Sequence, residues 1–174
     1  MALAVCLLFD QRGDRAVRGL WDRLETVGIP TLRSHTHGRH HAHLSYTVLA
    51  SWDLEAVQNA VAALGDHGEV TLHFQAVATF PRGRVCLVPA IFPDLMERQR
   101  AVNEAVAATG AVIHRHYQTG IWLPHCSLAP RARLAQLPNI TALVNDVLPL
   151  TVRATRAALI DSGTGQVWPL PNVP

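Results

Sequence analysis

Cysteine, charge and long hydrophobic runs are all scarce in this chain. Its three cysteines, Cys6, Cys86 and Cys126, stand far apart and form no C-x-x-C pair. An odd number in apolar surroundings argues against a disulfide framework and reads as reduced thiols, so a cytoplasmic location is expected. No apolar run reaches membrane-spanning length, so no membrane partner is expected. The apolar start, Ala2 to Phe9, has no basic leader and runs into Asp10, which reads as a strand rather than a signal peptide. A net charge of +2 is below what a nucleic-acid coat protein carries, yet it suits an anionic ligand.

Apolar residues, by contrast, are plentiful. They make up 49% of the 174 positions, enough for a sizeable core and too many for disorder. The length suits one domain over residues 1–174, or two small lobes sharing a core. Ala2 to Phe9 reads as a strand buried on both faces, and Asp10 to Asp14 as a turn around Gly13. Val17, Leu20, Trp21, Leu24 and Val27 recur at helical spacing until Gly28 and Pro30. Asp53 caps a second helix, Pro93 opens a third, and Asn139 is placed to cap a fourth. Strands are expected near Val70 to Ala78, Val85 to Val88, Leu150 to Ile160 and Gln166 to Leu170. Val112 to Gly120 reads as a short strand or loop. The Pro/Gly stretch from Phe80 to Gly83 is the expected crossing point between two halves of similar make-up.

Two segments carry the chemistry. Arg39-His40-His41-Ala42-His43-Leu44-Ser45-Tyr46 has an echo in Pro124-His125-Cys126-Ser127-Leu128. Alternation along a strand puts His41, His43, Ser45 and Thr47 on one face, with Ala42, Leu44, Tyr46 and Val48 on the other. In the second segment His125 and Ser127 share a face, and Cys126 lies on the dry side. A single His-x-Ser is commonplace, and a lone histidine usually reads as structural. Two copies on alternating strands point instead to a shared cleft with two imidazoles and two hydroxyls. Imidazole titrates near neutrality. A neutral histidine can take a proton from a nucleophile while a protonated one gives a proton to a leaving oxygen. A phosphodiester needs both, and Ser45 and Ser127 would donate to its non-bridging oxygens. That chemistry requires neither metal nor cofactor.

His43-Leu44-Ser45-Tyr46 and His125-Cys126-Ser127-Leu128 resemble the repeated His-x-Thr/Ser-x motif of the two-histidine phosphoesterases, which include bacterial 2'-5' RNA ligases and RNA 2',3'-cyclic phosphodiesterases. Pro124 before the second histidine also fits. The resemblance implies an α+β, bilobal fold, with two pseudo-symmetric sheet-plus-helix lobes around a central cleft. It implies opening of 2',3'-cyclic phosphates on RNA ends or small nucleotides, with 2'-5' ligation as the reverse reaction; a monomer is expected. Both hydroxyl positions are Ser where Thr is commoner in the family. Arg131 stands one place later than the arginine of many relatives.

Around these four residues, His41, Phe80, Arg84, Trp122 and Arg131 are expected to hold substrate, the aromatic rings by stacking a base and the arginines by phosphate contact. The run His35, His37, His40, His41 reads as a polar loop, since no cysteine or carboxylate partner stands close enough for a zinc site. His114 to Tyr117 reads as a solvated loop. A module that binds RNA ends or nucleotides with little catalysis is the alternative, and it differs in holding the two imidazoles too far apart to cooperate.

Overall fold

The computed structural model describes residues 2–174. The chain opens with β1 (Leu3–Phe9), all of it buried. Leu3, Val5, Leu7 and Phe9 enter the main core, while Ala4, Cys6 and Leu8 form a small cluster on the opposite face. Helix α1 (Gln11–Thr26) follows at once, because the Asp10 side chain accepts the Gly13 N–H and caps it. The expected turn over Asp10 to Asp14 is therefore the first turn of a helix. Gly13 is there for closeness: a Cβ would come within 2.8 Å of Val152 on the sheet below.

The remaining elements are β2 (His43–Ser51), α2 (Leu54–Ala62), β3 (Val70–Phe80), β4 (Arg84–Pro89), α3 (Pro93–Ala108), the short β5 (Val112–Ile113), β6 (Cys126–Ala129), α4 (Leu137–Asn145), β7 (Leu150–Asp161) and β8 (Val167–Pro169). Asp53 caps α2 through the Ala56 N–H, and Pro93 starts α3, both as the sequence predicts. Asn139 does not cap α4. The helix begins at Leu137, and Pro138 occupies its first turn, where a missing N–H costs nothing.

All strands join one antiparallel sheet in the order β5-β2-β1-β7-β3-β4-β6, with β8 on β7. From β2 to β6 the path reads the same from either end if β2 matches β6, β1 matches β4 and β7 matches β3. The two lobes are thus halves of a single sheet, joined at the β7–β3 ladder. Chain order and lobe order differ, because β7 comes late yet pairs with β1 in the first lobe. The first crossing lies between Ala62 and Val70, and Pro81–Gly83 only turns the β3–β4 hairpin. The helices share the main core with one face of the sheet. The two motif strands, β2 and β6, come into contact without ladder bonds between them.

Candidate active site

Both motifs are built alike. Ser45 pairs with Cys6 on β1, and Ser127 pairs with Cys86 on β4. In each ladder the register then slips, leaving Tyr46 in one strand and Leu128 in the other as the extra residue. A bulge of this kind bends the strand and re-aims the side chains beyond it. It also overturns the expected alternation: Thr47 pairs with the core residue Val5, is 0% exposed, and its Oγ1 has no partner among the described residues. Val48 takes its place on the face of Cys6 and Leu8.

Tryptophan indoles hold the bulged segments. Trp122, just ahead of β6, donates to the Ser45 carbonyl at 3.1 Å, and Trp21 on α1 donates to the Ser127 carbonyl at 3.2 Å. Each motif strand is therefore tied to a distant part of the chain. Trp122 is 5% exposed and packs on Tyr46, so its ring belongs to the core and offers no face to a base, contrary to the sequence expectation.

The two imidazoles are oriented identically. His43 Nδ1 lies 2.7 Å from the His41 carbonyl, and His125 Nδ1 lies 2.8 Å from the Leu123 carbonyl. A carbonyl only accepts, so each Nδ1 carries hydrogen and each Nε2 is left to exchange protons. Burial pushes both pKa values below the ordinary histidine range, with the carbonyl contacts opposing it. Positive charge on His43 and on Arg84 lowers His125 further. A proton on His43 thus makes a second proton on His125 less favourable. Burial also pushes the Cys6 thiol up to about 12 and the Cys86 thiol to about 11. Both stay uncharged beside Ser45 Oγ (3.5 Å) and Ser127 Oγ (3.8 Å).

The other expected contacts divide. Phe80 packs obliquely on His125, with ring centroids 5.1 Å apart, and Arg84 is exposed nearby on the next strand. Arg131 is exposed elsewhere: its charge falls on His35 in the His-rich segment. His41 precedes β2, and its carbonyl orients His43. His40 stacks on His35 and packs obliquely on His37, and among the described residues no three His, Cys, Asp or Glu groups are arranged to hold a metal ion.

Tyr117 was not among the expected site residues. Its ring lies 6.2 Å from that of His125, and its carbonyl accepts from Gln99 and Asn103, both buried on α3. Two buried amides four positions apart on an otherwise apolar helix stripe were the sequence signal for this anchor.

The histidines bear on stability. Burial lowers the pKa of His35, His40, His41, His43, His114 and His125, with His40 brought to about 4. The unfolded chain, with histidines near 6.5, then binds more protons than the native state as pH falls. Stability should be complete above about pH 6.5 and decline toward pH 4, lowering Tm by roughly 5 °C or more over that range. In thermal melts, His40→Asn should flatten part of this decline; an unchanged pH slope would rule His40 out as a contributor.

Residues 13–166 match the family described as the 2'-5' RNA ligase superfamily. No curated protein matches the sequence. Among solved structures, E. coli LigT in its apo form aligns with a TM-score of 0.58 at 14% identity, over 97% of this chain and 94% of that one. A protein described as a phosphoesterase aligns with a TM-score of 0.57, also at 14% identity, over 97% and 94%. E. coli LigT complexed with 3'-AMP aligns at 0.56 and 14%, over 97% and 93%. At such identity these likenesses speak for the fold, whereas the family match runs through both motifs and most of the sequence. The chain therefore belongs to the 2'-5' RNA ligase superfamily, among the two-histidine phosphoesterases.

Proposed function

We propose that this protein is a metal-independent phosphodiesterase that opens 2',3'-cyclic phosphates of RNA ends or small nucleotides, with 2'-5' ligation as the reverse reaction. The observation that carries this reading is the matched pair of imidazoles on contacting motif strands, each with Nδ1 tied to the carbonyl two residues earlier and Nε2 left to exchange a proton. One neutral Nε2 takes a proton from water as its oxygen bonds to phosphorus. The other imidazole, protonated at Nε2, gives its proton to the ribose oxygen as the P–O bond breaks. Ser45 and Ser127 donate to the non-bridging oxygens, and Arg84 supplies positive charge beside His125. The product is a phosphate monoester. E. coli LigT, which shares the fold, holds one such ester, 3'-AMP.

The test is the pH dependence of kcat/KM on a 2',3'-cyclic mononucleotide in EDTA. A paired acid and base give a bell with one limb for each imidazole. Because both pKa values in the free protein are depressed, the protonated partner becomes scarce as pH rises. The maximum in kcat/KM should therefore fall below about pH 6.5. The bound phosphate anion favours imidazolium, so the kcat optimum should lie at higher pH. Absence of turnover in EDTA, or a flat profile from pH 5 to 9 with chemistry rate-limiting, would overturn the reading.

A further inference from the structure

Three residues form a row across three neighbouring strands. Leu8 on β1 pairs with His43 on β2 to one side and with Arg156 on β7 to the other. Directly opposed residues of an antiparallel ladder point to the same face. Arg156 therefore stands on the face of His43, two strand spacings or about 10 Å away. Two members of the row, Leu8 and Arg156, line a depression of about 430 Å³ together with His41, Ala158, Val167 and Pro169; His43 stands beyond its edge, across β1 from Arg156. That volume falls within the range of small-molecule sites, and its floor is mostly apolar with few polar groups.

The charge there is uncommitted. Among the described residues Arg156 enters no ion pair, and its one hydrogen bond is a long 3.5 Å contact to the Phe9 carbonyl. The rest of its guanidinium fork is available to an anion. The nearest carboxylate in the lining, Asp14, is taken up by Arg18 at 2.7 Å and by the Ala42 N–H. The charge also breaks the pseudo-symmetry. In the other lobe Val88, next to the Cys126 partner Leu87, pairs with Ala76, so the position matching Arg156 is neutral.

We propose that this depression is a second nucleotide subsite, in which Arg156 binds the phosphodiester one step upstream of the cyclic phosphate and the apolar floor carries the attached nucleoside. The inference rests on the function proposed above and deepens it: the preferred substrate is an oligonucleotide end rather than a cyclic mononucleotide. Arg84 stands beside His125 on one side of the cleft and Arg156 on the His43 side, so the part of the strand that Arg156 holds enters over β1 and β7.

The test compares a 2',3'-cyclic mononucleotide with a dinucleotide ending in the same cyclic phosphate. The wild type should favour the dinucleotide in kcat/KM by on the order of tenfold, the effect of one charge-assisted contact. Arg156→Gln should abolish that advantage and leave the mononucleotide rate unchanged. In parallel, dissociation constants are measured for the 3'-phosphorylated mono- and dinucleotide. A wild type without preference, or a variant that loses both substrates equally, would overturn the subsite. Should the wild type open neither cyclic phosphate, the proposed function fails, and the ratio of dissociation constants still decides the subsite alone.

Discussion

Replacing His43 or His125 by alanine should lower kcat on a 2',3'-cyclic nucleotide by about a hundred- to ten-thousandfold, the worth of one well-placed proton transfer. Each imidazole is half-buried, and its only described hydrogen bond is to the carbonyl two residues earlier, so little of the fold depends on it. Circular dichroism and Tm of both variants should stay close to wild type. The double variant should fall little below the weaker single one, because an acid without its base has already lost most of its use. Asparagine at either position should rescue nothing, since an amide cannot exchange a proton near neutral pH. Full activity in either alanine variant would remove that residue from the reaction and favour a binding module instead.

Truncating Trp21 to alanine should destabilise the protein by about 3–5 kcal/mol, a large part of the whole stability of a domain this size. Trp21 is fully buried among the α1 and sheet residues of the main core, so its loss leaves a cavity as well as a lost transfer term. The informative comparison is Trp21→Phe. Phenylalanine keeps much of the apolar ring but cannot donate to the Ser127 carbonyl, so stability should fall by only about 1 kcal/mol for the missing bond, plus the packing change. Activity should fall further than stability, on the order of tenfold, because the bulged strand that presents His125 and Ser127 is released from α1. Trp122→Phe should act in the same way on Ser45 and His43. Urea unfolding and kcat measured together separate the two effects. A loss of activity no greater than the loss of folded protein would make the tryptophans purely structural.

Much of this arrangement was legible in the order of residues. The continuous apolar run of β1, the stripe of α1, the Asp53 cap and Pro93 each specify their element locally, and each formed as expected. Where local reading erred, a neighbour distant in sequence had decided the matter. Gly13 reads as a turn residue until Val152 is placed against it. Trp122 reads as a stacking surface until its indole is seen on the Ser45 carbonyl. Thr47 reads as a cleft residue because alternation counts every position, whereas the bulge skips Tyr46, and only the facing β1 strand reveals it. Tyr117 had no signal of its own, since the amides that anchor its carbonyl stand on α3.

By itself the sequence determined which atoms are available for the chemistry: two imidazoles, two hydroxyls, a set of arginines, and enough apolar surface to bury the strands that carry them. Residue type and local periodicity suffice for that, because they report what a side chain is and which face of its own element it occupies. The tertiary structure alone decided how those faces meet. It paired each serine with a cysteine, crossed the tryptophans between the motifs, and set Arg156 in line with His43 across β1. The strand pairings among these depend on register in the ladders that join Cys6 to Ser45, Cys86 to Ser127 and Leu8 to Arg156, all remote in sequence, and a shift of one residue would turn each of those side chains to the opposite face.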